Sequence, residues 1–225
     1  MGTGEPKRMQ YIAQGPEADH RTSTGLNNRK LLMWAFLGSD AMFFGPLITT
    51  HLINRTATQT GPTEDIFNIP LTTISTFVLL ISSLAMVLAL AGIQRGQMGQ
   101  FRFWTAATAL LGMVFIGFQM TEFAQFAAEG LTPRSSLFGS SFLILTGLHG
   151  AHVTVGIIWL WSIFFTSYTG KIKQANSLDV EIAGLYWHFV DIVWIVIFGV
   201  VYLIGAFGVE DRLLEHAGAA VRLVG

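Results

Sequence analysis

The sequence predicts an all-α membrane protein, a five-transmembrane-helix bundle, and three observations predict it. Of 225 residues, 52% are hydrophobic and only 12% charged, with a mean hydropathy of +0.53; soluble domains carry about 25% charged residues. Five apolar runs each reach the roughly 20 residues that a helix needs to cross a bilayer. The stretches between them are short and rich in Gly, Pro, Thr and Asn, the residues that start and stop helices.

The first span is placed at Leu31–Ile53 and is followed by "NRTATQTGPTEDIFN". The second, Pro70–Ile93, leads into "QRGQMGQFR". The third, Phe103–Phe126, leads into "AAEGLTPRSS", and the fourth, Phe138–Phe165, into "SYTGKIKQANSLDVE". The fifth is Ile182–Phe207. No link is large enough for a soluble domain, and there is no internal repeat. Residues 1–30 read as a polar cytoplasmic tail, 31–208 as the membrane domain and 209–225 as a short outer tail. That outer tail is either a short interfacial helix or a frayed terminus.

Basic residues fix an expected orientation. Lys7, Arg8, Arg21, Arg29, Lys30, Arg95, Arg102, Lys171 and Lys173 fall on one side, and Arg55, Arg134, Arg212 and Arg222 on the other. The side richer in Lys and Arg is cytoplasmic, so the N-terminus is expected inside and the C-terminus outside. The net charge of −1 gives no argument for nucleic acid. Cysteine is absent, which excludes thiolate-held iron–sulfur clusters, a cysteine-bound copper centre and covalently attached haem c. Met1–Lys30 has no apolar core of the signal-peptide kind.

Inside the spans stand residues that lipid rejects: Asp40 and His51, Glu122, His149 and His152, His188 and Asp191. A carboxylate at mid-helix costs roughly 2.5–3.5 kcal/mol on the insertion scale. Each is therefore expected to face a neighbouring helix, a partner subunit, a lipid headgroup or water. Gln119, Glu122 and Gln125 recur every three residues, a polar stripe on the third span. His149 and His152, like His188 and Asp191, lie about 60° apart around their helices. Gly147 with Ala151, and Gly150 with Thr154, are small-xxx-small pairs suited to close helix packing. The histidines read as structural hydrogen-bonding groups or as haem or metal ligands. Haem b and metal sites need ligands converging from facing helices, and only His51 and His188 remain to complete such a set. The expectation is that His188 and Asp191 anchor the fifth helix against the fourth, with His149 and His152 as partners.

Two long segments carry a resemblance. "FGSSFLILTGLHGAHVTVGIIWL" (Phe138–Leu160) resembles the G-S-x-F…T-G-x-H-G-x-H-V segment of subunit III of haem–copper terminal oxidases. "YWHFVDIVWIVIFGVVYL" (Tyr186–Leu203) resembles that family's Y/F-W-H-F-V-D-V-V-W signature. "GSDAMFF" (Gly38–Phe44), "QMTEFAQF" (Gln119–Phe126) and "GPTEDIFNIPLTTISTFVLLISS" (Gly61–Ser83) are similar to further family segments in the same order. With five spans, the chain resembles the short bacterial form rather than the seven-helix mitochondrial one. Family members often carry an acid near Ser75, which is neutral here.

The resemblance implies a non-catalytic accessory subunit of cytochrome c oxidase in the bacterial cytoplasmic membrane. It implies no haem or copper in this chain and both in partner subunits. Subunit I, which reduces dioxygen and pumps protons, and subunit II are the implied partners, together with membrane phospholipid. The implied role is to stabilise subunit I and support its proton uptake. Asp40, Glu122, His149, His152, His188 and Asp191 are then buried assembly or lipid-contact groups, with no catalytic, cofactor or metal residue. Subunit III of a quinol oxidase, a haem-binding membrane cytochrome and a small transporter are the alternatives. A transporter predicts broken helices or repeat symmetry at mid-membrane, which the sequence lacks.

Overall fold

The computed structural model describes residues 27–57, 68–134, 136–172 and 177–203. Most of the two tails, including the 209–225 segment, and the Phe207 end of the fifth span lie outside the described residues. Five long helices carry the chain: α1 (Asn28–Ala57), α2 (Ile69–Gln94), α3 (Met98–Ala128), α4 (Leu137–Tyr168) and α5 (Ser177–Ile197). Among the described residues, these five helices are long and apolar enough to cross a membrane. A π-helical turn, Phe198–Leu203, continues α5. The wider turn accompanies an inward Tyr202, which is 1% exposed and packs beside Trp194 and Phe142.

The helix ends follow from local chemistry. Asn68 caps α2, its side chain accepting from the Leu71 amide, and Pro70 stands in the first turn, where a missing N–H costs nothing. Ser136 caps α4 by accepting from the Gly139 amide. Gly96, Gly130 and Gly170 follow α2, α3 and α4 with φ of 73°, 82° and 72°, the left-handed conformation that ends helices at little cost only in glycine. Pro46 lies inside α1.

Helix α3 starts earlier than the apolar run suggests because Arg102 has somewhere to go. Its guanidinium donates to the Ser167 carbonyl (2.8 Å) and hydroxyl (3.1 Å) and lies 4.2 Å over the Tyr168 ring. Helix α5 likewise starts at Ser177, its acidic first residues paired with α1. Arg29 meets Asp179 at 2.6 Å, and Lys30 meets Glu181 at 2.5 Å.

Helix α2 packs on α3 and α5, α4 on α1, α3 and α5, and α1 on α4 and α5. Helix α5 is the central stave. Trp187 and Trp194, each 1% exposed, fill the space among α2, α3 and α4. A Cβ on Gly112 would stand 2.6 Å from the Trp187 ring, and one on Gly156 2.9 Å. Those two glycines make room for the indole. The predicted pairs contribute less. Ala151 and Thr154 are exposed, Gly147 is loosely packed, and only Gly150 is crowded, by the Gln119 amide.

Candidate functional site

The polar groups of the spans do not converge on one point. They form separate contacts strung along the helix interfaces.

Glu122 on α3 is buried and accepts a hydrogen bond from the Thr72 hydroxyl of α2. Thr76, one turn on, accepts from the Trp194 indole N–H at 3.0 Å. Ser82 accepts from the Trp187 indole N–H at 3.0 Å. The hydroxyls of α2 thus satisfy a carboxyl on one side and two buried indoles on the other. Of the predicted stripe, Gln119 and Glu122 are buried, and Gln119 donates to the Thr146 carbonyl at 2.7 Å. Gln125 is exposed, because three-residue spacing drifts about 60° per step around a helix.

Asp40 on α1 approaches Nε2 of His152 on α4 at 3.4 Å. The His152 Nδ1 contacts the Leu148 carbonyl at 2.9 Å and must donate there. An attractive contact with Asp40 therefore requires a proton on Nε2 or on the carboxyl. Tyr186 donates to the His152 carbonyl at 3.0 Å, and Phe44 packs edge-on against the imidazole. A cavity of about 380 Å³ opens beside this contact, lined by Met33, Phe36, Val155, Trp159 and Tyr186.

His149 is fully buried, stacked on Trp194 at 4.9 Å with Phe115 edge-on. Neither of its ring nitrogens has a hydrogen-bond partner among the described residues. His51 meets Ser141 at 3.2 Å across α1 and α4.

The expected anchor of α5 on α4 is corrected by the structure. His188 Nδ1 meets the Ser83 hydroxyl of α2 at 2.5 Å, and Asp191 lies beside the same serine without closing a hydrogen bond of standard geometry. Both side chains turn to α2, while His149 and His152 are taken by Trp194 and Asp40. The reason is the two tryptophans. Trp187 is seated against Gly112 and Gly156, and Trp194 against Phe115 and His149, which turns α5 so that His188 and Asp191 meet α2.

Sequence reasoning missed Thr72, Thr76, Ser82 and Ser83. The available signal was their density in an otherwise apolar span, where each can bond its own helix or a neighbour. Among the described residues, no group of three or more His, Cys, Asp or Glu is placed to hold a metal ion.

Fold and interior define an integral membrane protein of the helical-bundle class, its buried polar groups spent on helix contacts. The family model for cytochrome c oxidase subunit III matches residues 24–206. The probable quinol oxidase subunit 3 of Staphylococcus haemolyticus is 41% identical over 189 residues, covering 83% of this chain and 94% of that one. The cytochrome bo(3) ubiquinol oxidase subunit 3 of Pseudomonas aeruginosa is 37% identical over 193 residues, 85% and 92% of the two chains. The cytochrome c oxidase subunit 3 of Bacillus sp. (strain PS3) is 35% identical over 195 residues, 86% and 94%. The chain belongs to the cytochrome c oxidase subunit III family, the third subunit of haem–copper terminal oxidases.

Proposed function

We propose that this chain is a non-catalytic subunit of a proton-pumping terminal oxidase. It packs on subunit I, with subunit II in the same complex, stabilises subunit I and supports its proton uptake. It binds no haem or copper of its own and carries phospholipid at its surface. The observation that carries this reading is a family match over almost all of the membrane domain, joined to an interior whose polar groups serve neighbouring helices. The chain lies in the bacterial cytoplasmic membrane with Met1 inside and Gly225 outside, on the bias of basic residues.

Cytochrome c is the first reading of the electron donor. A quinol is the second, favoured by the names of relatives at 41% and 37% identity against 35% for the cytochrome c relative.

The test is purification of the tagged chain from native membranes. Haem-containing subunits I and II should travel with it, and their activity with reduced cytochrome c or with quinol decides the donor. The chain stripped from the complex should show no visible haem band and no bound copper. A stoichiometric haem in the isolated chain overturns the reading. Because the chain has no cysteine, single cysteines at Gly61 and Gly99 report topology cleanly. An impermeant thiol reagent should label the first and not the second in intact cells; the reverse pattern overturns the orientation.

A further inference from the structure

His188 is half-buried at the seam of α2 and α5, with Nδ1 on Ser83 and Nε2 without a partner among the described residues. Ser83 and His188 lie about 21 Å and about 16 Å along their helices at about 1.5 Å per residue, well inside the hydrocarbon layer. Around them the surface is apolar and open. Ile192 (59% exposed) and Ile195 (46%) continue the His188 stripe of α5 by one and two turns. Leu84 (60%) and Val87 (49%) flank Ser83 on α2. Behind the seam lies the buried Asp191 carboxyl.

Acyl chains satisfy the isoleucines and leucines but offer nothing to an imidazole nitrogen. A neutral imidazole has one donor and one acceptor, and only one is used. At this depth an unpaired polar group is costly, and such residues face protein rather than lipid.

We infer that the α2–α5 seam is the surface on which a transmembrane helix of a partner subunit docks, placing a hydroxyl, amide or other hydrogen-bonding side chain on His188 Nε2. This rests on the reading of the chain as an oxidase subunit and names the face it uses. The apolar residues supply the contact area. The histidine fixes depth and rotation, since one interhelical hydrogen bond in a membrane is worth only about 0.6–2 kcal/mol. On α1, where Met42 is 81% exposed, the mid-span Asp40 is instead turned to His152 of α4, their side chains 15% and 19% exposed.

The test places a photo-crosslinking amino acid at Leu84 or Ile192 in the full chain, expressed in its native membrane. Both sites are exposed, so the fold is not at stake. The expected product is a covalent adduct with another subunit of the oxidase at both positions. His188→Gln, whose amide reaches toward the Nε2 position, should keep that adduct. His188→Leu should reduce it several-fold while the chain stays in the membrane. Adducts with lipid only, or with a second copy of this chain, overturn the inference even if the oxidase co-purifies. If no other subunit co-purifies with the unaltered chain, the functional reading itself has failed and the inference falls with it.

Discussion

Helices α1 and α5 are both apolar and both carry an aspartate in mid-span, yet they hold opposite positions in the fold. Half of the α5 window is buried, against 11% for α1. Helix α5 is locked by two indoles with satisfied N–H groups and two glycines shaped to receive one of them. Helix α1 is held by Asp40–His152, His51–Ser141 and the ion pairs of Arg29 and Lys30. Small residues and aromatics, more than the charged groups, decide which helix is structural centre and which is rim. This follows from the bilayer itself. Burial against lipid gains little from the hydrophobic effect, so close packing and a few hydrogen bonds do the sorting.

The comparison breaks most visibly at Trp187. Replacing it with alanine empties space among three helices and is expected to cost about 3–5 kcal/mol, read as a lower unfolding midpoint of the purified chain in detergent. Met42→Ala on α1 should change it by less than about 0.5 kcal/mol. Equal effects would mean that α1 is packed in a way the structure does not contain.

Gly156→Ala comes next. The added Cβ meets the Trp187 ring, and overpacking of this kind costs about 1–3 kcal/mol. Gly38→Ala meets nothing within 4 Å and should be neutral or slightly stabilising, because alanine favours the helix. Thermal melting of the two variants side by side separates them.

Smaller effects attach to the hydrogen bonds. Thr72→Val removes the donor to buried Glu122, and Ser82→Ala the acceptor of Trp187, each for roughly 0.6–2 kcal/mol. Asp40→Asn keeps shape beside His152 and should cost no more than about 0.6 kcal/mol by the same melts.

Much of this was legible in the sequence. The five spans follow from hydropathy and from the Gly, Pro, Thr and Asn of the links, although α3 and α5 begin five residues before their apolar runs, at Met98 and Ser177. Ionisable residues inside spans announced themselves by their cost. What could not be read was the partner of each. Spacing of three residues places His188 and Asp191 on one side of α5 but does not say which helix lies there. That is set by the fit of Trp187 between Gly112 and Gly156, two residues 44 positions apart on different helices. The serines and threonines of α2 were hidden for another reason. A hydroxyl in a membrane span bonds its own helix readily, so its presence does not mark an interhelical contact until the neighbour is known.

The central claim is that the polar interior is architecture rather than chemistry, and Asp191→Asn tests it most directly. Asparagine keeps the size and hydrogen-bonding capacity of the side chain beside Ser83 and removes the carboxyl. The measurement is oxygen consumption per haem of the purified oxidase carrying this variant, with complex yield measured alongside. Normal yield and turnover within about twofold of the unaltered enzyme are predicted, with Asp191→Leu assembling poorly. An Asp191→Asn complex that assembles at full yield but loses most of its turnover or proton uptake would contradict the account and make Asp191 part of a proton path.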